Sequence, residues 1–144
     1  MHGDSEFAVG EGQKLRGEAE VLVAGSKVGL IDHELAGKLV AGGALRAVVP
    51  CGPVAVTAKA LAVLQRGGVT VVPDFLSTAG VVFGSWPADG TALEGALTRA
   101  GADVAAVLDE VAAADDGLFV AACRRAEAFL ATWCEDRPFG RPLA

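Results

Sequence analysis

Three short apolar runs recur along the first half of the chain: EVLVAG at 20–25, LRAVVP at 45–50 and VTVVP at 69–73. Each is continuous rather than alternating, the pattern of strands buried on both faces of a parallel sheet. Each closes on Gly or Pro, residues that punctuate the carboxyl end of a strand. The stretches between them carry helical spacing. DHELAGKLVAGG opens on Asp32 as an N-cap and stops at Gly42-Gly43. PVAVTAKALAVLQRGG sets Pro53 near a first turn, spaces Val56, Ala60, Leu61 and Leu64 as apolar positions, and ends at Gly67-Gly68. The order is β-α-β-α-β, with connections long enough for right-handed crossovers between parallel strands.

Past Trp86 the texture changes. PADGTALEGALTRAG reads as a mobile or weakly helical connection. ADVAAVLDEVAAADD aligns Val104, Val107, Leu108 and Val111 on one face of a helix. GLFVAACRRAEAFLATWCEDR aligns Leu118, Ala122, Arg125, Ala126, Phe129 and Trp133 on another. The expected fold class is α/β: a half-Rossmann domain over 19–136, with a three-stranded parallel sheet, crossover helices and two C-terminal helices. Residues 1–18, polar and without periodicity, read as a flexible lead-in, and 137–144 as a loose tail.

Composition narrows the function classes. A chain of 144 residues suits one domain with a real core. Its apolar fraction of 52% and mean hydropathy of +0.44 come chiefly from Ala, Val and Leu, and no apolar run reaches the length of a membrane span. Twelve Lys and Arg scattered among 18 acids, for a net charge of −6, lack the clustered cations that displace counterions from nucleic acid. Neither membrane nor nucleic acid is expected as a partner. Cys51, Cys123 and Cys134 form no CxxC pair, and the first residues contain no apolar core of a secretory signal. A reduced, cytoplasmic protein is the expectation.

Candidate chemistry gathers at the carboxyl ends of the strands, where open α/β sheets place their ligands. The pocket candidates are Gly25, Ser26 and Lys27 after the first run, Cys51 and Gly52 after the second, and Asp74, Ser77, Thr78 and Gly80 after the third. Asp74 reads first as a turn residue bonding nearby backbone N–H groups and second as a ligand group. Ser77 and Thr78 serve equally as pocket lining or helix cap. Cys51 has no activating base nearby in the sequence, so it reads as a small inert residue. Lys27 could receive an anion but also fits an ordinary exposed lysine. His33 lacks metal-ligand company, Cys123 and Cys134 share a helix face and read as core, and Arg124, Arg125 and Glu127 read as a solvated face. No catalytic residue and no metal ligand is assigned.

LQRGGVTVVPDFLSTAGVVFGSW is similar to the RGI…PD…NAGG(V) segment of the glutamate/leucine/phenylalanine/valine dehydrogenase family. AEVLVAGSKVGLIDHEL resembles that family's strand and loop around PAALGGV, and AVVPCGPVAVTAKAL its GAN-x-P segment. The resemblance covers 18–135 and implies a truncated, divergent homologue of the C-terminal half of the NAD(P)-binding domain. The departures fall at the cofactor. In the family, two asparagines help hold the nicotinamide end. Thr78 stands at one of those positions and Cys51 at or beside the other, and Val81 replaces the second glycine. Thr and Cys cannot supply the paired donor and acceptor of a carboxamide. No GxGxxG follows any strand, and the family's catalytic lysine and aspartate lie in a substrate domain this sequence does not include.

These features imply a binding or assembly module without self-sufficient dehydrogenase activity. No cofactor is assigned, and the rim leaves residual NAD(P) or other nucleotide binding open. Two alternatives follow from the same residues: a small repurposed enzyme using the strand-end pocket for chemistry other than hydride transfer, or one half of a split dehydrogenase. Residues 20–25 form a flat apolar edge, expected to be covered by a second copy, as a homodimer or larger homo-oligomer, or by another protein.

Overall fold

A computed structural model describes residues 19–25, 27–80, 82, 93–115 and 117–134. Ser26, the lead-in at 1–18, Val81, the Trp86 region and the tail at 137–144 lie outside them.

The fold is α/β. Strands β1 (Val21–Ala24), β2 (Ala47–Pro50) and β3 (Thr70–Val71) form one parallel sheet in the order β1-β2-β3, joined through helices α1 (His33–Gly42) and α2 (Ala58–Arg66). A single turn, α3 (Asp74–Ser77), follows β3, and helices α4 (Leu93–Ala112) and α5 (Leu118–Leu130) come last. Val21 pairs in register with Ala47 and Ala24 with Pro50, while Ala47 and Val48 pair with Thr70 and Val71. The strands are thus shorter than the apolar runs that announce them.

Local chemistry explains the helix limits. The Asp32 carboxylate accepts a hydrogen bond from the Leu35 N–H at 2.8 Å and satisfies one orphan donor of α1. Gly43 ends that helix at φ +72°, where a Cβ would be strained. Helix α2 starts later than the sequence suggests. Its N-cap is Thr57, whose hydroxyl accepts from the Ala60 N–H at 3.2 Å. Pro53 sits upstream in a turn, and Val56 forms a parallel bridge with Ile31 instead of a helical turn. A long-range backbone pairing thus claims residues whose spacing alone suits a helix.

One core lies between the sheet and the α1–α2 layer. Ala24, Val48 and Val71 from the three strands meet Ala36 of α1 and Ala60 and Leu64 of α2, all buried. Alternation along β1 sends Leu22 and Ala24 into this layer and Val21 and Val23 to the opposite face. The two helices approach closely at the end of α2, where a Cβ on Gly67 would lie 2.5 Å from Val40 Cγ1.

The C-terminal helices pack on α3 and β3 and on each other. Phe75 meets Phe119 edge-on at 6.3 Å, and Arg125 donates to Glu110 at 2.8 Å. Two expectations are corrected here. Residues 93–101, read as a mobile or weakly helical connection, are already part of the 20-residue α4. On α5 the covered stripe runs through Phe119, Ala122, Cys123 and Leu130, while Arg125, Ala126, Phe129 and Trp133 are exposed. The contact of Phe119 with Phe75 rotates the helix by about one residue, or ~100°, relative to its apolar pattern.

Candidate functional site

The rim at the carboxyl ends of the strands is laced together by backbone hydrogen bonds. The Gly29 N–H donates to the Val54 carbonyl at 2.9 Å and Ile31 N–H to the Ala55 carbonyl at 2.9 Å, while Thr57 N–H donates back to Ile31 at 3.0 Å. These bonds join the loop after β1 to the loop after β2. The loop after β2 is tied in turn to β3 by Asp74, whose Oδ2 accepts from the Val54 N–H at 2.6 Å. Its Oδ1 accepts from the Phe75 N–H at 2.8 Å.

Asp74 therefore holds an unusual residue. Val54 has φ +52°, in the left-handed region that a β-branched side chain avoids. Both of its backbone polar groups are engaged, the N–H by Asp74 and the carbonyl by Gly29. Strain of this kind persists where the surroundings over-determine the conformation. The sequence offered one indirect cue, the Gly52-Pro53 pair before it, which marks a turn without giving its hand.

The other polar candidates also bond to the main chain. Ser77 Oγ donates to the Pro50 carbonyl at 2.6 Å, tying α3 to the end of β2. Thr78 Oγ1 donates to the Asp74 carbonyl at 2.7 Å. Cys51 is exposed and its N–H donates to the Ala24 carbonyl at 2.7 Å, while Gly52 beside it is buried. Gly25 and Gly80 are partly covered and Lys27 is exposed. Ser26 lies outside the described residues. The structure thus gathers Gly25, Lys27, Cys51, Gly52, Asp74 and Ser77 along the strand ends, with Thr78 and Gly80 just behind them.

What faces outward is chiefly apolar. Val28, Leu30, Val54 and Phe75 are exposed along this rim, beside the Lys27 ammonium and the Cys51 thiol. Sequence reasoning looked for polar groups here and passed over these four. Among the described residues no group of three or more His, Cys, Asp or Glu could hold a metal ion. Away from the rim, burial and then the Glu127 carboxylate raise the Cys123 thiol above its ordinary value of 9.0.

Fold and rim together define a half-Rossmann layout: parallel strands, crossover helices on one face, and a strand-end rim closed by main-chain bonds. No family model, curated protein or solved structure matches the chain. Among the described residues no helix is long and apolar enough to cross a membrane.

Proposed function

We propose that this chain is a binding and assembly module, related to the NAD(P)-binding domain of the amino-acid dehydrogenases but without hydride transfer of its own. One observation carries the reading: three polar side chains of the rim are taken up by main-chain hydrogen bonds. Asp74, Ser77 and Thr78 are engaged by backbone N–H and carbonyl groups, leaving an outward surface of Val28, Leu30, Val54 and Phe75. A nicotinamide site needs free donors and acceptors aimed into a cleft. Thr78 and Cys51, where the resembled family has asparagine, point the same way.

The repurposed-enzyme reading draws on the exposed Cys51 thiol and Lys27 ammonium at that rim. Thermal shift with NAD(H), NADP(H), AMP and 2-oxo acids, run beside a hydride-transfer assay, tests the module reading for retained ligand binding and for hydride transfer. A ligand held at 100 times its Kd stabilises the folded state by about 2.7 kcal/mol, well within detection. The module reading expects no turnover and no melting shift with the 2-oxo acids. A shift with a nucleotide alone marks a retained binding function. Turnover of any of these substrates overturns the proposal.

A further inference from the structure

Strand β1 is an edge of the sheet, and its exposed residues are also the ones whose backbone groups leave the sheet. The carbonyls of Glu20 and Ala24 accept hydrogen bonds from Ala47 and Cys51, at 3.1 and 2.7 Å. Backbone groups alternate between the two edges of a strand, so Leu22 shares that direction. Val21 and Val23 therefore turn their N–H and C=O groups to the open edge, and their side chains are 54% and 58% exposed. Val21–Ala24 contains no charge and no proline, the devices that keep natural edges from pairing.

Building on the assembly-module reading, we propose that the occupant of this edge is a second copy of the chain. The two β1 strands pair antiparallel about a two-fold axis at Val23, and two three-stranded sheets become one of six strands. Parity puts the axis on a residue rather than between two, and the flanking charges choose Val23. Only odd-numbered residues point outward, so both members of every hydrogen-bonded pair are odd. An axis at Val23 pairs the two Val23 residues with each other and Val21 with Gly25 of the second copy. The flanking charges agree with this direction. Glu20 precedes β1 and Lys27 follows it, both exposed. Antiparallel pairing sets Glu20 of each copy at the end of the paired strands where the other copy's Lys27 lies, unlike charges at both ends. Parallel pairing sets Glu20 beside Glu20 and Lys27 beside Lys27. An axis at Leu22 shifts the register by two, so that Glu20 lies two residues further from Lys27 of the second copy. The arrangement is isologous and closes at two copies. A strand edge covers much less than the roughly 1,600 Å² of a standard stable interface, so the equilibrium is weak and concentration-dependent.

Sedimentation equilibrium of the full chain, with amide hydrogen exchange on the same samples, tests the pairing. The expected mass rises from 14.5 kDa toward twice that value as concentration increases. The Val21 and Val23 amides gain protection in step. Val23→Pro removes only an outward N–H, a change edge strands tolerate. It is expected to keep the circular dichroism of the wild type and to stay monomeric. Val23→Lys, which retains the N–H and sets two charges at the axis, is expected to do the same and covers the case in which the proline variant fails to fold. A monomer at every concentration overturns the pairing. A dimer that survives both substitutions overturns it too, as does protection of Val23 in a monomer. None of these outcomes bears on the absence of hydride transfer, which the assay above tests separately.

Discussion

Asp74 holds the rim by accepting two backbone N–H groups with one carboxylate, across 20 residues of sequence on one side and to its own neighbour on the other. Hydrogen bonds to a charged acceptor are each worth about 1.5–3 kcal/mol, toward the low end where solvent reaches them. Asp74→Ala is expected to cost about 2 kcal/mol in urea unfolding, with Asp74→Asn between it and the wild type because one oxygen still accepts. Val54 is the counterpart. Its side chain is 56% exposed and its φ positive, so replacing it relieves strain and loses little burial. Asn tolerates the left-handed region, and Val54→Asn is expected to raise stability by about 1 kcal/mol, read as an increased urea midpoint. Cys123 gives a pH signature. Its thiol is raised above 9.0 by burial and then by Glu127. The folded chain therefore keeps that proton to higher pH than the unfolded chain. The stabilisation is whole below 9.0 and is lost as pH rises past the folded value. Wild type is expected to lose urea resistance above that pH more steeply than Cys123→Ala.

At the scale of elements, the α1–α2 contact depends on an absent side chain. A Cβ at Gly67 would meet Val40 Cγ1 at 2.5 Å and Cγ2 at 2.6 Å, and valine has no flexible end to swing away. Gly67→Ala is expected to cost about 2 kcal/mol through overpacking. Adding Val40→Ala should return part of that loss, a coupling that a double-mutant cycle measures directly. Much of the element scale was legible in the sequence. Asp32 and Gly43 act through bonds and angles within a turn or two, so their roles could be read from residue type and spacing. The start of α2 and the face of α5 were not legible. The first was set by the Ile31–Val56 bridge across 25 positions, the second by Phe119 meeting Phe75 across 44. Periodicity reports which residues prefer burial and carries no information on which neighbour arrives to bury them.

For the whole molecule, burial is uneven. The main core draws only on residues 24 to 71, while Ala96, Ala100, Val111 and Ala122 of the C-terminal helices are buried outside it. Local openings follow such divisions. Native-state hydrogen exchange is expected to show the slowest amides in β2 and α2, with α4 and α5 exchanging earlier as a unit; uniform protection across all four would refute this two-tier behaviour. The candidate site divides along the same lines as the fold. The apolar runs and their Gly and Pro stops were enough to place Lys27, Cys51 and Asp74 at the ends of parallel strands, because alternating helix and strand propensity acts locally. The sequence alone therefore determined the α/β order, the caps of α1 and the location of the rim. Only the tertiary structure decided that Asp74, Ser77 and Thr78 bond to the main chain, that Val54 is strained, and that Val21 and Val23 stand at an open edge. Each depends on the direction of a group relative to a partner far away in sequence, and direction exists only once the strands have paired.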